Sequence, residues 1–314
     1  MFIALFFGRY NIYFNEVVGS LLPFLGIKVG TEAWTLVILH RLPRALAAAA
    51  VGAALSASGA AYQGVFHNPL VNPGLLGVSS GAGFGAALAI VVTGGSFLIY
   101  PSAFAFGILA VVLSYWIARI YKQTPTIMLI LGGTIVSSVF AALVSLMKYM
   151  ADSATQLPAI TFWLMGSLAD SSFGQFWALI PMGIGVFTLV LCSWRINVLS
   201  MGDKEARSLG LNVAANKAAV VGGATLATAG AVCLSGVVGW VGLVIPHIGR
   251  MIVGSDNRKL IPVSMALGAS FLVIVDTVAR CALTSEIPLG ILTALIGAPF
   301  FVYLLKKTKG GNWS

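Results

Sequence analysis

Residues 77–81, with the sequence GVSSG, match the G-x-S-x-G pattern in which hydrolases place a nucleophilic serine on a strand-to-helix turn. That chemistry needs a preceding strand, a histidine and an acid, but here an apolar helical pattern follows and the chain has only three histidines. The glycines Gly77, Gly81 and Gly85 also recur every four residues, a stripe that lets two membrane helices approach closely. We interpret these three glycines as helix-packing residues and predict no catalytic residue.

Asp276 is the acidic side chain that stands out within an apolar stretch, and it precedes Arg280 by four residues on the same predicted helix face. An ion pair between the two is the simpler interpretation, and an intramembrane proton relay is the alternative. The sequence has neither an H-E-x-x-H zinc motif nor a G-x-x-x-x-G-K-[ST] phosphate loop. Its three cysteines lack metal-ligand spacing. We therefore predict no metal, no cofactor and no ATP hydrolysis by this chain.

The elements that carry these residues are predicted to lie in a membrane. Hydrophobic residues make up 59% of the 314 positions and charged residues 9%, whereas soluble domains carry roughly 25% charged residues. Backbone groups in lipid must be satisfied within the fold, and apolar stretches of about 20 residues favour helices over a barrel. The net charge of +9 is not organised into a basic run with interleaved aromatics, so nucleic acid is not an expected partner. The sequence predicts one all-α, polytopic membrane domain spanning residues 1–314, in contact with lipid.

About ten spans are expected, the first of them incomplete. The run Met1–Phe7 is too short to cross a bilayer and lacks a signal-peptide cleavage site, so we expect it to be the end of a helix that begins before this sequence. Residues 148–157 and 161–172 are predicted to form an interfacial loop with a short amphipathic helix. The fuller predicted spans are 45–66, 76–93, 98–120, 127–147, 174–193, 215–234, 236–253, 261–279 and 289–305.

The distribution of positive charge predicts the orientation. Of the 18 Lys and Arg residues, six fall on one side of the predicted spans and the other twelve (18 − 6) on the opposite side. Because cytoplasmic loops carry the excess, the C-terminus and the loop 194–214 are predicted to be cytoplasmic. Arg41 and Arg44 then lie outside, where anchoring at lipid headgroups is the alternative to a functional role. The six outer residues are Arg9, Lys28, Arg41, Arg44, Lys148 and Arg280.

An internal similarity suggests two related halves. Residues 52–60 (GAALSASGA) and 223–231 (GATLATAGA) share five identities at a constant offset of 171 residues (223 − 52). These segments are five spans apart and would cross the membrane in opposite directions, as in the inverted repeats of transporters. Similarity arising from small-residue composition is the alternative. The predicted half-repeats cover approximately 41–150 and 214–307.

The loop 194–214 contains a short amphipathic pattern. Ala206 and Leu209 give residues 200–212 an apolar side, and acidic and basic residues give them a charged side. Gly210 and Asn212 are suited to ending a helix. A helix that docks on a partner and a plain connector both fit this pattern.

The motifs together closely resemble the FecCD-type permeases of ABC importers, which move iron–siderophores, haem, cobalamin and, in some members, oxyanions. The resemblance covers nearly the whole chain in order. The matching segments are 41–44 (RLPR), Gly59 with Gln63, 68–70 (NPL), 76–79 (LGVS), 163–168 (WLMGSL), 242–247 (GLVIPH) with Arg250, Asp276 with Arg280, 286–290 (EIPLG) and 297–300 (GAPF).

The resemblance implies partners. Family members form a homodimer with the pathway between the subunits, bind two ATP-binding cassette ATPase subunits, and receive cargo from a periplasmic or lipid-anchored substrate-binding protein. We therefore expect a permease subunit in the cell (inner) membrane that imports a metal chelate of the iron–siderophore, haem or cobalamin type. An oxyanion such as molybdate, carried by the same fold, and an ion-coupled secondary transporter or facilitator are the alternatives.

The resemblance also implies residue roles. Arg41, Arg44 and Arg280 match the family's arginines that face outside and pair with glutamates of the binding protein. Thr124 and Thr126 lie in a turn that would be near the cytoplasmic gate. The residues matching the coupling helix, which sits in the ATPase cleft, are Met201, Gly202, Glu205, Ala206, Leu209 and Gly210.

Overall fold

A computed structural model describes residues 2–8, 10, 12–22, 30–94, 98–119 and 126–307. This part of the chain is 80% helical and contains no strand, which confirms the all-α fold class. A 3-10 turn at Phe2–Leu5 precedes the first helix, and a π-helical turn at Leu36–Arg41 joins the second helix to the third. The helices are α1 (Phe14–Leu21), α2 (Thr31–Thr35), α3 (Leu42–Val65), α4 (Val78–Thr93), α5 (Ile99–Ala118), α6 (Thr126–Met150), α7 (Gln156–Met165), α8 (Leu179–Leu191), α9 (Ser193–Leu199), α10 (Asp203–Ser208), α11 (Val213–Ser235), α12 (Val241–Val253), α13 (Asn257–Cys281) and α14 (Leu289–Lys307).

Among the described residues, six helical segments are long and apolar enough to cross a membrane, and α4, α12 and α14 supply three shorter apolar helices. Eight of these nine have bounds within about five residues of a predicted span, whereas Glu32–Val65 begins 13 residues (45 − 32) before the predicted span 45–66. The six longer segments are Glu32–Val65, Ile99–Ala118, Ile127–Met150, Phe173–Leu191, Val213–Ser235 and Asn257–Cys281.

The region after α6 differs from its prediction. The predicted interfacial loop and its short helix covered residues 148–157 and 161–172, whereas α7 runs from Gln156 to Met165, across the gap between these segments. Gly166 has a φ of +78°, a left-handed conformation that favours glycine, and it stops the helix there. The α6 helix also continues to Met150, into the predicted loop.

Two antiparallel helices, α3 and α11, form the centre of the bundle. In each, 78% of the most apolar window is buried inside the chain, compared with 22–39% for the four other long spans. One apolar cluster joins residues 47–55 of α3 to residues 227–234 of α11, and another joins residues 57–66 to residues 213–229. The two helices carrying the sequence similarity therefore run in opposite directions, as an inverted repeat requires. The repeat itself stays a prediction.

Small residues set the distance between α3 and its neighbour α13. A Cβ atom added to Gly52 would meet the carbonyl oxygen of Gly268, and one added to Gly268 would meet the Gly52 carbonyl and the Ser56 hydroxyl. The two backbones are thus in direct contact, and dispersion and weak polar contacts hold them together where lipid supplies no hydrophobic driving force.

The predicted glycine stripe lies where α4 meets α5. A Cβ at Gly81 would meet the carbonyl oxygen of Phe106, and a Cβ at Gly85 would meet that of Ser102. Gly77 precedes α4 with a φ of +91°, so its place is at the start of the helix rather than along its face.

Candidate functional site

A cluster of charged side chains joins the N-terminal end of α3 to the C-terminal end of α13. The Arg44 Nε donates to both carboxylate oxygens of Asp276, at 2.9 and 3.1 Å. Its Nη1 and Nη2 donate to the two oxygens of Glu286, at 2.8 and 3.0 Å. The N–H donors of one guanidinium are thus hydrogen-bonded to two carboxylates. Bidentate pairs of arginine and carboxylate are among the strongest hydrogen-bonded ion pairs in proteins. We call this part of the bundle the Arg44 end.

The expected pairing of Asp276 with Arg280 is secondary in the structure. The Arg280 Nε lies 3.9 Å from Asp276, whereas Arg44 lies at 2.9 Å. Arg280 instead donates from Nη2 to the carbonyl oxygen of Ala4, at 2.6 Å. The better partner of Asp276 comes from a helix more than 200 residues away in sequence, which helix periodicity alone cannot reveal.

The three arginines expected to face outside are all buried within the described chain. Arg41, Arg44 and Arg280 are 6%, 8% and 7% exposed. Arg41 donates from Nη1 to the carbonyl oxygens of Leu5 and Phe6, at 2.7 and 3.3 Å. Each guanidinium thus has acceptors inside the chain, and the docking role of these residues stays a prediction.

The coupling-helix residues form an exposed projection at the opposite end of α3, which we call the α10 end. Ala206 is fully buried against the rest of the chain, whereas Met201 and Leu209 are 62% and 63% exposed. The predicted apolar side of this helix therefore divides: Ala206 seats the helix, and Leu209 is free to contact a partner. Exposed apolar side chains beside charged ones are typical of a protein-binding surface.

Glycines and an asparagine shape the ends of this projection. Gly202, with a φ of +123°, precedes α10, and Gly210, with a φ of +79°, follows it. Asn212 does not end the helix as predicted; its side chain accepts a hydrogen bond from the Ala215 N–H at 3.0 Å and so caps the start of α11.

The segment formed by α9 and α10 contacts the start of α11 and residues at the ends of α3 and α13. The Lys217 Nζ of α11 lies 2.7 Å from the Asp203 carboxylate of α10. The His67 Nε2, just beyond α3, is 2.7 Å from the Leu199 carbonyl oxygen of α9. Asn197 of α9 donates to Asp256, the residue that caps α13, at 2.6 Å. The hydrogen bonds from the Asn197 amide and the Arg258 N–H lower the pKa of Asp256 from its ordinary value.

Two polar contacts in the structure, Lys217 with Asp203 and Arg250 with Gln63, were not predicted from the sequence, although the sequence contained signals for both. Lys217 is a single charge near the start of the apolar stretch Val213–Ser235, and an ionisable residue in such a place indicates a specific partner. Gln63 and Arg250 matched family motifs without being paired. In the structure the Arg250 Nη2 donates to the Gln63 Oε1 at 2.6 Å, and the Gln63 amide donates to the Val71 carbonyl at 3.2 Å.

Of the two predicted gate residues, Thr124 lies outside the described residues and Thr126 begins α6. Farther along α6, Thr134, Ser138 and Ser145 are exposed at near-helical spacing, and we call these three the hydroxyl stripe. Their hydroxyls donate to the carbonyl oxygen four residues earlier, at 3.0, 2.9 and 3.0 Å. A second exposed face of the same helix, with Ile135 and Val139, is apolar.

A cavity of about 280 Å³ opens where α7 meets the C-terminal end of α4 and the N-terminal end of α5. Tyr100, Gln156, Trp163 and Asp170 are among its lining residues. Pockets for drug-sized ligands occupy roughly 300–1,000 Å³, so the volume of this cavity lies near the lower end of that range.

A model of the FecCD transport family matches residues 1–307. The chain belongs to this family. The match includes the Arg44 end, the α10 end and all nine apolar helices, and it confirms the resemblance drawn from the motifs.

Curated and solved relatives agree with this assignment. The chain is 40% identical over 313 residues to the molybdate import system permease protein MolB of Haemophilus influenzae, covering 99% of this chain and 93% of that protein. It is 42% identical over 288 residues to the cobalamin import system permease protein BtuC of Halobacterium salinarum, covering 90% and 76%. A solved structure in an inward-facing conformation, described as a proposed metal-chelate type ABC transporter, matches with a TM-score of 0.87 and 40% identity, covering 98% and 94%.

The chain is therefore an ABC importer permease of the FecCD family, a multi-pass protein of the cell membrane. Its relatives are transport subunits, and the ATPase of such an importer is a separate subunit. The relatives' names give different cargoes, so membership in the family leaves the substrate open.

Proposed function

We propose that this permease imports a metal chelate as a homodimer, with two ATPase subunits on the cytoplasmic side and a substrate-binding protein outside. The observation that carries the proposal is the arrangement of the two ends of α3. Arg44 lies near one end of α3, and the exposed α10 projection lies near the other end. The 24 residues of α3 give this helix a length of about 36 Å. One chain thus offers a charged end and an apolar projection on opposite sides of a membrane-length bundle.

We assign the α10 end to the cytoplasm. The excess of Lys and Arg falls on the loops of this side, and Arg195, Arg207, Arg258 and Lys259 are all exposed there. The C-terminus would lie on the same side. Met201 and Leu209 would then insert into a cleft of the ATPase subunit, with Glu205 and Arg207 at the rim of the contact.

The cargo pathway would lie between two copies of the chain. The hydroxyl stripe supports this, because polar side chains in membrane helices usually face a bundle interior or a water-filled cavity rather than lipid. The residues expected near the gate, Thr124 and Thr126, precede or begin the same helix. Closure of the ATPase subunits on ATP would shift α10, and the helices beside the pathway would rock between outward-open and inward-open states.

At the outer side, Arg41, Arg44 and Arg280 would receive acidic side chains of the binding protein. Because these guanidinium groups already have acceptors in the free permease, docking would proceed by exchange. Glu286 is the exchangeable group, since its side chain is 27% exposed whereas that of Asp276 is 2% exposed. A carboxylate of the binding protein would replace Glu286 on Arg44.

For the cargo, the solved relative described as a proposed metal-chelate type transporter and the cobalamin permease relative support a chelate such as an iron–siderophore, haem or cobalamin. An oxyanion is the second candidate, because the molybdate permease aligns with 99% of this chain and 93% of its own length.

Uptake into proteoliposomes that contain the permease, its ATPase and its binding protein tests the proposal. We expect uptake of ferrichrome, haem or cyanocobalamin that requires both ATP and the binding protein and resists proton uncouplers. Uptake of molybdate instead would select the second candidate. Uptake that persists without ATP and collapses with the proton gradient would show a secondary transporter and overturn the proposal.

A further inference from the structure

Lys217 is a fully buried charge at the start of α11. Its residue is 0% exposed, and its Nζ lies 2.7 Å from a carboxylate oxygen of Asp203, the first residue of α10. Removing an ammonium group from water is costly unless a counter-charge lies within hydrogen-bonding distance. Asp203 supplies that charge, and its side chain stays 35% exposed at the edge of the bundle. A spanning helix and the short α10 helix are therefore joined by an ion pair with one fully buried member.

This ion pair binds α10, whereas the other polar contacts of the α9–α10 segment bind α9. The contacts of His67 with Leu199 and of Asn197 with Asp256 hold α9 against α3 and α13. The Asp203–Lys217 pair holds α10 itself, the part of the segment that carries the exposed Leu209. Any displacement of α10 would thus act directly on the first turn of α11.

α11 continues this connection into the rest of the bundle. It packs along α3 through two apolar clusters that together run most of the length of both helices. The far end of α3 carries Arg44, whose carboxylate partners belong to α13 and the segment before α14. A chain of packed, buried contacts therefore connects the α10 projection with the ionic cluster at the opposite end.

We propose that Lys217 is a positioning residue for energy coupling: its ion pair with Asp203 makes α10 and α11 move as one body when the ATPase subunits close. The proposal rests on the proposed function, which assigns α10 to the ATPase contact. It adds that Lys217 determines how much of that movement reaches the pathway. Without the pair, α10 follows the ATPase while α11 lags behind.

Neutralising Lys217 and neutralising Asp203 should affect the stability of the protein differently. Lys217→Met removes the buried charge and leaves Asp203, whose side chain is partly exposed to water. Asp203→Asn leaves a buried ammonium without its carboxylate, which is the more disruptive change. The double variant removes both charges and therefore folds more readily than Asp203→Asn alone. Asp203→Glu keeps the carboxylate and serves as the conservative variant.

The experiment uses the complete importer in proteoliposomes and measures two rates in the same vesicles. One is ATP hydrolysis stimulated by the binding protein, and the other is uptake of whichever of ferrichrome, haem, cyanocobalamin and molybdate the wild type accumulates. In Lys217→Met and in the double variant we expect cargo moved per ATP hydrolysed to fall roughly 2- to 30-fold, the range for changes within a coupling network. Asp203→Glu recovers most of the ratio. Lys259→Met, which removes an exposed lysine at the same end, leaves it unchanged.

A purely structural role for the pair predicts another pattern, in which assembly, hydrolysis and uptake fall together and their ratio stays constant. That result, or a wild-type ratio in both Lys217→Met and the double variant, would overturn the inference while leaving the importer function intact. Should Lys217→Met fail to assemble, the ratio in the double variant decides. A wild-type complex that shows no ATP-dependent uptake and no stimulated hydrolysis would instead contradict the proposed function.

Discussion

Arg44 binds two carboxylates whose surroundings differ. The Asp276 side chain is 2% exposed and lies within α13, whereas Glu286 is 27% exposed in the segment before α14. A buried charge that loses its partner is destabilising by several kcal/mol, while a partly exposed one can be solvated. The two acids should therefore differ in what they contribute to stability and to docking.

Replacing Asp276 by Asn should destabilise the permease. Arg44 would keep only Glu286, and Arg280 would lose its nearest carboxylate, so we expect a loss of up to about 3–5 kcal/mol. Thermal unfolding of the detergent-solubilised protein measures the effect. Glu286→Gln is the matched control and should cost only about 1 kcal/mol. Equal shifts in the two variants would contradict the assigned burial.

Glu286→Gln should also strengthen docking of the binding protein. It removes the internal competitor for Arg44 and leaves a guanidinium ready for an incoming carboxylate. Displacing Glu286 costs the wild type a charge-assisted hydrogen bond worth about 1.5–3 kcal/mol, and the variant avoids this cost, so affinity should rise by roughly tenfold or more at low salt. Surface binding of the binding protein to permease in nanodiscs measures this. Unchanged affinity would count against exchange at Arg44.

At several small residues the backbones of neighbouring helices are in direct contact. Gly52 and Gly268 place the backbones of α3 and α13 against each other. Positions such as Gly222 in α11 have no atom within 4 Å of an added Cβ. The same residue type thus has two different roles, and only the packing distinguishes them.

Gly268→Ala should separate α3 from α13, because its Cβ would meet the Gly52 carbonyl and Ser56. Overpacking of this kind costs about 1–3 kcal/mol. Gly222→Ala is the matched control and should be neutral or slightly stabilising, since alanine favours helix. Unfolding midpoints in detergent test the pair, and equal tolerance of both changes would show that α3 and α13 are not in backbone contact.

The exposed surface of the whole bundle divides between lipid and the proposed pathway. On α6 the hydroxyl stripe and the apolar residues Ile135 and Val139 lie side by side, and both are exposed. A homodimer with a central pathway would place the stripe beside water and the apolar face against lipid.

Single cysteines on α6 should report this division. Thiols react as thiolates, which form readily in water and not in lipid. The experiment compares Ser138→Cys with Val139→Cys in a Cys281→Ser background of the assembled importer. Ser138→Cys should react with a water-soluble maleimide at least roughly tenfold faster, because forming a charged thiolate in lipid costs at least a few kcal/mol more than forming it in water. Cys192 and Cys233 are buried and should contribute little background. Equal reactivity would contradict a pathway along this face.

The sequence predicted the helices better than it predicted their contacts. The nine predicted apolar spans correspond to nine apolar helices in the structure. The thickness of the bilayer sets the length of a span, and the need to satisfy backbone hydrogen bonds in lipid makes it a helix. The boundary of α7 was missed because Gly166 needed to be recognised as a left-handed stop within an apolar run. The coupling segment was found from its charged and apolar sides, but the split between buried Ala206 and exposed Leu209 depends on what α10 packs against.

By itself, therefore, the sequence determined an all-α membrane protein, its approximate spans, its lack of a phosphate loop and, through its motifs, its family. Those properties follow from composition and local spacing, because apolar residues partition into lipid and backbone hydrogen bonds in a helix form between residues close in sequence. Only the tertiary structure decided that Asp276 belongs to Arg44 more than to Arg280, and that Lys217 belongs to Asp203. In each case the choice depended on which charged groups the packed helices bring within hydrogen-bonding distance, because a buried ion is stabilised by the partner it contacts and not by the one nearest in sequence.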